Sequence, residues 1–348
     1  MGFDTTIAAL QSGDIALWLP LAWAALLGTA VALYVILDGF DLGLGILFPL
    51  MPAEDDRDVM MNTVAPFWDG NETWLVLGGG GLFVAFPKAY AIIMPAVYLP
   101  LIIMLLALVF RGVAFEFRWV SKPHHWFWDM AFAWGSITAS FMQGVILGTL
   151  LQGVRVTNEA FSGGPLDWLT PFALFCGLAV VAGYALLAAT WLVMKTEGEV
   201  SIEARGYAIK LLPLVLFAMA VVSLWTPLII PRIAERWFTM PNLLYLSPVP
   251  IAVLASAFVC ARGLLGRTDT APFAGALGIF LLGLLGLVIS NAPFLVPPSL
   301  TVWQAAAPVK SQLFMFTGTV VLLPVILGYT VFIYYTFRGK VRHGAGYH

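Results

Sequence analysis

APFAGALGIFLLGLLGLVISNAPFLV, residues 271–296, contains no charged side chain. At 1.5 Å of rise per residue it is long enough, as a helix, to cross the ~30 Å hydrocarbon core of a bilayer. Working outward, eight further apolar runs bounded by charge, Pro or Gly fall near 17–38, 63–86, 89–110, 126–150, 169–194, 207–230, 246–265 and 312–337. The whole composition agrees, with 61% hydrophobic and only 10% charged residues against roughly 25% charged in soluble domains. The expectation is an all-α integral membrane protein of about nine transmembrane helices. Because no connection is long enough to fold separately, residues 1–348 are expected to form one polytopic membrane domain.

Basic residues near span ends are retained on the cytoplasmic side, which gives the orientation. With the N-terminus outside, the inner connections hold Arg57, Arg111, Arg118, Lys122, Lys195, Arg205, Lys210, Arg262, Arg267, Arg338, Lys340 and Arg342, against Lys88, Arg155, Arg232, Arg236 and Lys310 outside. The excess predicts N-terminus out, C-terminus in. Residues 1–18 carry Asp4 and Asp14 but no Lys or Arg, so the first apolar segment is expected to persist rather than be cleaved as a signal peptide. Net charge is −2 and no long like-charge run occurs, which argues against nucleic acid as a partner. Cys176 and Cys260 sit in apolar stretches and read as small buried hydrophobes. Trp119, Trp126, Trp168 and Trp237, near span ends, read as interfacial anchors.

Charged residues inside apolar spans are costly and mark protein interiors or water-filled paths. Asp38 and Asp41 share a helix face near the inner end of the first span, and Asp69 and Glu72 repeat that spacing in the second, with Asp69 expected ~10 Å into it. Four acids with no Lys or Arg within those two spans suit proton relay or cation coordination; the competing reading makes Asp38 and Asp41 caps at a Gly-rich break. Gly78–Gly81 and Gly39, Gly43 and Gly45 read as surfaces for close helix packing. Arg111, Glu116 and Arg118 read as a snorkelling, partly paired cluster at the inner end of the third span.

Haem held within a membrane requires axial ligands on the spans. His124, His125, His343 and His348 all fall in a loop or the tail, so bis-histidine ligation within this chain is not expected. His124 and His125 are adjacent and share no helix face, which disfavours a metal between them. No phosphate-binding loop or Ser/His/Asp set is present either, and the chain is not expected to perform bond chemistry alone.

Five motifs resemble one family, subunit II of the cytochrome bd-type quinol oxidases, including the cyanide-insensitive branch. They are Asp38-Gly-Phe-Asp-Leu-Gly43, Ala65-Pro-Phe-Trp-Asp-Gly-Asn-Glu-Thr-Trp-Leu75, Arg111-Gly-Val-Ala-Phe-Glu-Phe-Arg118, Gly148-Thr-Leu-Leu-Gln-Gly-Val154, and Ser299-Leu-Thr-Val-Trp303 followed by Ser311-Gln312. The resemblance is dense over 20–155 and 291–330 and elsewhere rests mainly on hydropathy. It implies two four-helix bundles plus a peripheral helix, in a bacterial cytoplasmic membrane. It also implies a larger partner, subunit I, carrying the b- and d-type haems, in a complex that oxidises quinol and reduces O2 to water. A small accessory subunit and a structural quinone or lipid are compatible with it.

By this resemblance Asp69 lies on a proton path, and Trp74, with Trp68 nearby, is associated with O2 access or packing. Gln152, Trp303, Arg111, Glu116 and Arg118 serve interface or structure. Glu72 departs from members with an amide there; its role as an additional proton-path acid, with Asp38 and Asp41, is read from its own position. A secondary transporter or channel with buried carboxylates is the alternative, although the acids of spans one and two have no counterpart in spans six to nine.

Overall fold

The computed structural model describes residues 13–121 and 125–342. Its helices are, in chain order, α1 (Ile15–Leu47), α2 (Glu54–Asn62), α3 (Trp68–Ala85), α4 (Pro87–Ala96), α5 (Tyr98–Val120), α6 (Trp126–Gln152), α7 (Pro171–Lys195), α8 (Gly198–Ile229), α9 (Pro231–Phe238), α10 (Asn242–Leu246), α11 (Pro248–Leu265), α12 (Ala271–Asn291), α13 (Val302–Ala305) and α14 (Val309–Thr336). Two small antiparallel hairpins, Val156–Thr157 with Ala160–Phe161 and Phe294–Val296 with Leu300–Thr301, complete the described chain. Helices satisfy every backbone group internally, which is what a hydrocarbon environment demands.

Among the described residues, eight helices are long and apolar enough to cross a membrane. They are α1, with the turn that follows it, α5, α6, α7, α8, α12, α14 and the α10–α11 segment. The 18-residue α3 falls outside that set because Asp69, Asn71 and Glu72 occupy its first two turns. The structure also redraws the expected boundaries. The second run begins at Trp68 rather than 63, and the expected third span divides at Val97 into the short α4 and the longer α5. Pro87, Pro95 and Pro100 bracket that division and withhold the backbone donors a continuous helix would need. The first helix runs on past residue 38 to Leu47, so Asp38 and Asp41 lie inside it and are not helix-end caps.

Packing groups α1, α3, α5 and α6 on one side and α7, α8, α11 and α12 on the other, joined where α7 lies against α1 and α6. The α1–α7 contact is close because Gly43 has no side chain: a Cβ there would lie 2.0 Å from the Tyr184 carbonyl oxygen. Helix α14 stands apart, touching α1 and α3. Its first turn is held by Gln312, whose Nε2 donates to the Ala85 carbonyl at 2.9 Å while the Gln312 backbone carbonyl accepts from Trp23 Nε1 at 3.2 Å. Its far end is held by Lys195, whose Nζ donates to the carbonyls of Phe337 (2.5 Å) and Gly339 (2.8 Å). The ends of α1, α5, α7 and α14 therefore share one face of the molecule. Trp168 is buried, with Nε1 on the Pro165 carbonyl, and is not an interfacial anchor.

Candidate functional site

Near the face where α14 ends, the last turns of α1, the first turns of α3 and the middle of α5 converge on a cluster of charges. Asp38 and Asp41, one turn apart, both have 0% exposure. Arg111, 1% exposed, enters from α5. One of its terminal nitrogens lies 2.9 Å from Asp38 Oδ1 and 2.5 Å from Glu72 Oε1, and the other is 4.0 Å from Asp41 Oδ2. The Asp38 contact is an ion pair without hydrogen-bond alignment, since both Asp38 oxygens, like Asp41 Oδ1, accept no hydrogen bond.

Sequence reading placed Arg111 at a solvated span end; it is the buried counter-ion of the acids. The error follows from the span boundary, because α5 continues ten residues beyond the expected end at 110. Three carboxyls thus surround one guanidinium in a buried, low-dielectric interior, where that single counter-ion must serve all of them.

Polar side chains extend the cluster in two directions. On one side Asn71 Nδ2 donates to Asp41 Oδ2 at 2.7 Å, and Asn71 Oδ1 accepts from the Tyr334 hydroxyl of α14 at 3.0 Å. On the other, Tyr34 lies one turn before Asp38 on α1. Its hydroxyl accepts from Gln143 Nε2 at 2.6 Å, and the Tyr184 hydroxyl donates to Gln143 Oε1 at 2.7 Å. None of Asn71, Tyr334, Tyr34, Gln143 and Tyr184 was singled out from sequence. An amide such as Gln143 in the middle of an apolar run was the one available signal.

Asp69 does not join the cluster. It occupies the first turn of α3 and is exposed on the chain's own surface, together with Gly70, Thr73, Val76, Gly79, Gly80 and Phe83 on the same helical face. The depth expected for it assumed a helix starting at 63. Trp68 stacks on Phe115 at 4.9 Å and lies under the Arg111 guanidinium, 6.0 Å from its ring centroid. Trp74 is buried and lines an apolar cavity of about 310 Å³ between α1, α3 and α14, whose walls include Ala30, Leu33, Leu77 and Leu323.

The second arginine of the same motif is also buried rather than snorkelling. Arg118, at 0% exposure, donates from Nε to Asp129 Oδ1 at 2.6 Å and pairs with Asp58, while Arg57 lies 3.7 Å from Asp129. Glu116 faces outward, away from both arginines. His125 is likewise buried, with Nε2 2.8 Å from Glu54; His124, His343, His348 and Lys122 lie outside the described residues. Gln152 accepts from the Thr170 hydroxyl at 2.6 Å and so ties α6 to the cap of α7, and Trp303 Nε1 donates to the Leu17 carbonyl at 3.1 Å.

Haem does not fit the donor set of the described residues. No histidine lies on a membrane-spanning helix, and His125 directs Nε2 to Glu54. The fold and cluster thus define a polytopic membrane protein that buries three carboxyls around one guanidinium, with no histidine on a spanning helix among those residues.

Residues 19–337 match the profile of the family described as cytochrome bd terminal oxidase subunit II, and the chain belongs to that family. It is 31% identical to the Escherichia coli K12 cytochrome bd-I ubiquinol oxidase subunit 2, over 92% of this chain and 94% of that one. It is 30% identical to the Bacillus subtilis 168 cytochrome bd ubiquinol oxidase subunit 2, over 92% and 96%. A solved structure of bd oxidase from Geobacillus thermodenitrificans shares the fold, with a TM-score of 0.72 at 17% identity, over 92% of this chain and 98% of that one.

Proposed function

We propose that this chain is the haem-free second subunit of a quinol:O2 oxidoreductase in a bacterial cytoplasmic membrane, acting with a larger subunit that carries the b- and d-type haems. Its own contribution is to bring protons from the cytoplasmic side toward the site of O2 reduction. The observation that carries this reading is the buried cluster of Asp38, Asp41 and Glu72 around Arg111. Such a cluster can take up and release protons without exposing a charge to lipid.

The excess of Lys and Arg in the inner connections makes the face where α14 ends the cytoplasmic one, and α3, despite its polar first turns, is the ninth span. In this orientation the acids lie nearer the cytoplasm than the bilayer midplane. Asp69 lies next to the cluster on an outward face of α3, where a neighbouring subunit could receive a proton from it. The apolar cavity beside Trp74 offers O2, which partitions into hydrocarbon, a way in from the lipid.

The test is Asp69→Asn in the assembled complex. Quinol-dependent O2 uptake is expected to fall at least tenfold, while the reduced-minus-oxidised haem spectrum stays that of the unmodified complex. Full uptake would defeat the proton-path reading, and loss of haem together with activity would make Asp69 structural.

A further inference from the structure

Helix α14 is the most loosely packed long helix of the chain, yet it sends one hydroxyl into the charge cluster. Tyr334 stacks on Phe67 at 4.4 Å and meets the edge of Trp191 at 6.5 Å, which fixes its ring. Three residues further on, Lys195 holds the Phe337 carbonyl, and the Val341 amide donates to the Lys195 carbonyl at 2.8 Å, so the end of the helix is fixed as well. The hydroxyl is thereby directed at Asn71 Oδ1, 3.0 Å away.

An asparagine amide has two chemically different ends, a pair of N–H donors and a carbonyl acceptor. With Oδ1 accepting from Tyr334, Nδ2 faces α1, donating to Asp41 Oδ2 at 2.7 Å and to the Leu37 carbonyl at 3.5 Å. Were the amide reversed, Oδ1 would confront the carboxyl and could be satisfied only by a protonated Asp41. The orientation of this one amide therefore bears on which protonation state of Asp41 the site favours, and it is held jointly by the Leu37 carbonyl of α1 at Nδ2 and the Tyr334 hydroxyl of α14 at Oδ1. Asn71 is itself buried, so water does not readily replace the missing donor.

We infer that Tyr334 and Asn71 are positioning residues of the proton-handling cluster: the Tyr334 hydroxyl, together with the Leu37 carbonyl, holds the Asn71 amide so that it donates to Asp41. The inference rests on the proton-path reading above. It makes the peripheral helix, which contributes no carboxylate, a determinant of proton exchange. The groups that bear on Asp41 are Asp38 from α1, Glu72 and Asn71 from α3, Arg111 from α5 and Tyr334 from α14, while Tyr34 and Tyr184 bear on Asp38.

The experiment is steady-state O2 uptake by the purified full complex across pH, for Tyr334→Phe, Asp41→Asn and the double variant, with haem spectra as the check on assembly. Phenylalanine keeps the stack on Phe67 and removes only the hydroxyl. Tyr334→Phe is expected to lower kcat roughly fivefold, in line with one hydrogen bond, with KM for quinol unchanged and the pH profile displaced toward higher pH. The same change made in the Asp41→Asn background is expected to have no further effect. An unchanged pH profile in Tyr334→Phe, or an effect that persists in full without the Asp41 carboxyl, overturns the inference. Unaltered uptake by Asp41→Asn would instead overturn the proton-path reading for this carboxyl. Asn71→Ala, judged by the same profile, decides the matter if Tyr334→Phe loses haem or if Asp41→Asn is too slow to measure.

Discussion

Arg111 is the residue on which the cluster depends. Its guanidinium serves Asp38 and Glu72 from a single nitrogen and approaches Asp41 with another. Removing one partner of a buried ion pair typically costs about 3–5 kcal/mol, because the remaining charge has neither water nor counter-ion. Arg111→Gln is therefore expected to lower the thermal midpoint of the purified complex and its yield. Adding Asp38→Asn should recover part of that loss, since it removes one of the charges left behind. A double variant as unstable as the sum of the two single changes would show that the pair is not coupled in this way. The acids of this cluster were legible in the sequence, because Asp38/Asp41 and Asp69/Glu72 each announce themselves by local spacing. Their counter-ion was not. Nothing in residue spacing says that an arginine of the third span reaches acids of the first and second, and Tyr334 reaches Asn71 from the far end of the chain.

At the scale of the helices, the long apolar runs and their order were legible, and their boundaries and the short connecting helices were not. Apolar runs such as 126–150 and 271–296 have one reading, and α6 and α12 occupy them. The 89–110 run was read as one span; the prolines around Val97 divide it, and the second helix runs on to Val120, which carries Arg111 from a span end into a core. Of the glycines read as packing residues, Gly39, Gly43, Gly45 and Gly81 lie against neighbouring atoms while Gly79 and Gly80 do not, and α1 offers a direct contrast. Gly43 faces the α7 backbone, with the Tyr184 carbonyl 2.0 Å and Ala188 Cβ 2.7 Å from an added Cβ, whereas nothing lies within 4 Å of one added at Gly28. Gly43→Val should push α1 off α7 and lower the midpoint of thermal unfolding by several degrees or abolish assembly. Gly28→Ala, in the same helix, should leave the midpoint unchanged or raise it slightly, because alanine is favoured over glycine in a helix by about 1 kcal/mol. Equal effects of the two would mean that the α1–α7 contact does not limit stability.

For the molecule as a whole, the outward face of α3 is the surface hardest to reconcile with lipid. It combines Asp69 with Gly70, Thr73, Gly79 and Gly80 between the exposed side chains of Val76 and Phe83. Among the described residues, no neighbouring atom lies within 4 Å of a Cβ added at Gly70, Gly79 or Gly80. A carboxylate facing hydrocarbon is expensive, while a groove of small residues is what a second helix needs for close approach. Under the proposed function the occupant is the haem-bearing subunit, and its approach would convert Asp69 from a lipid-facing charge into a group shared between two chains. Gly80→Trp fills the groove from outside and disturbs nothing within this chain. It is expected to leave this subunit inserted in the membrane at normal abundance while the larger, haem-bearing subunit no longer co-purifies with it. Val288→Trp, at an exposed apolar position on α12 remote from α3, should co-purify as the unmodified protein does. If both variants retained the partner, the α3 face would be lipid-exposed in the complex, and Asp69 could not deliver a proton across it.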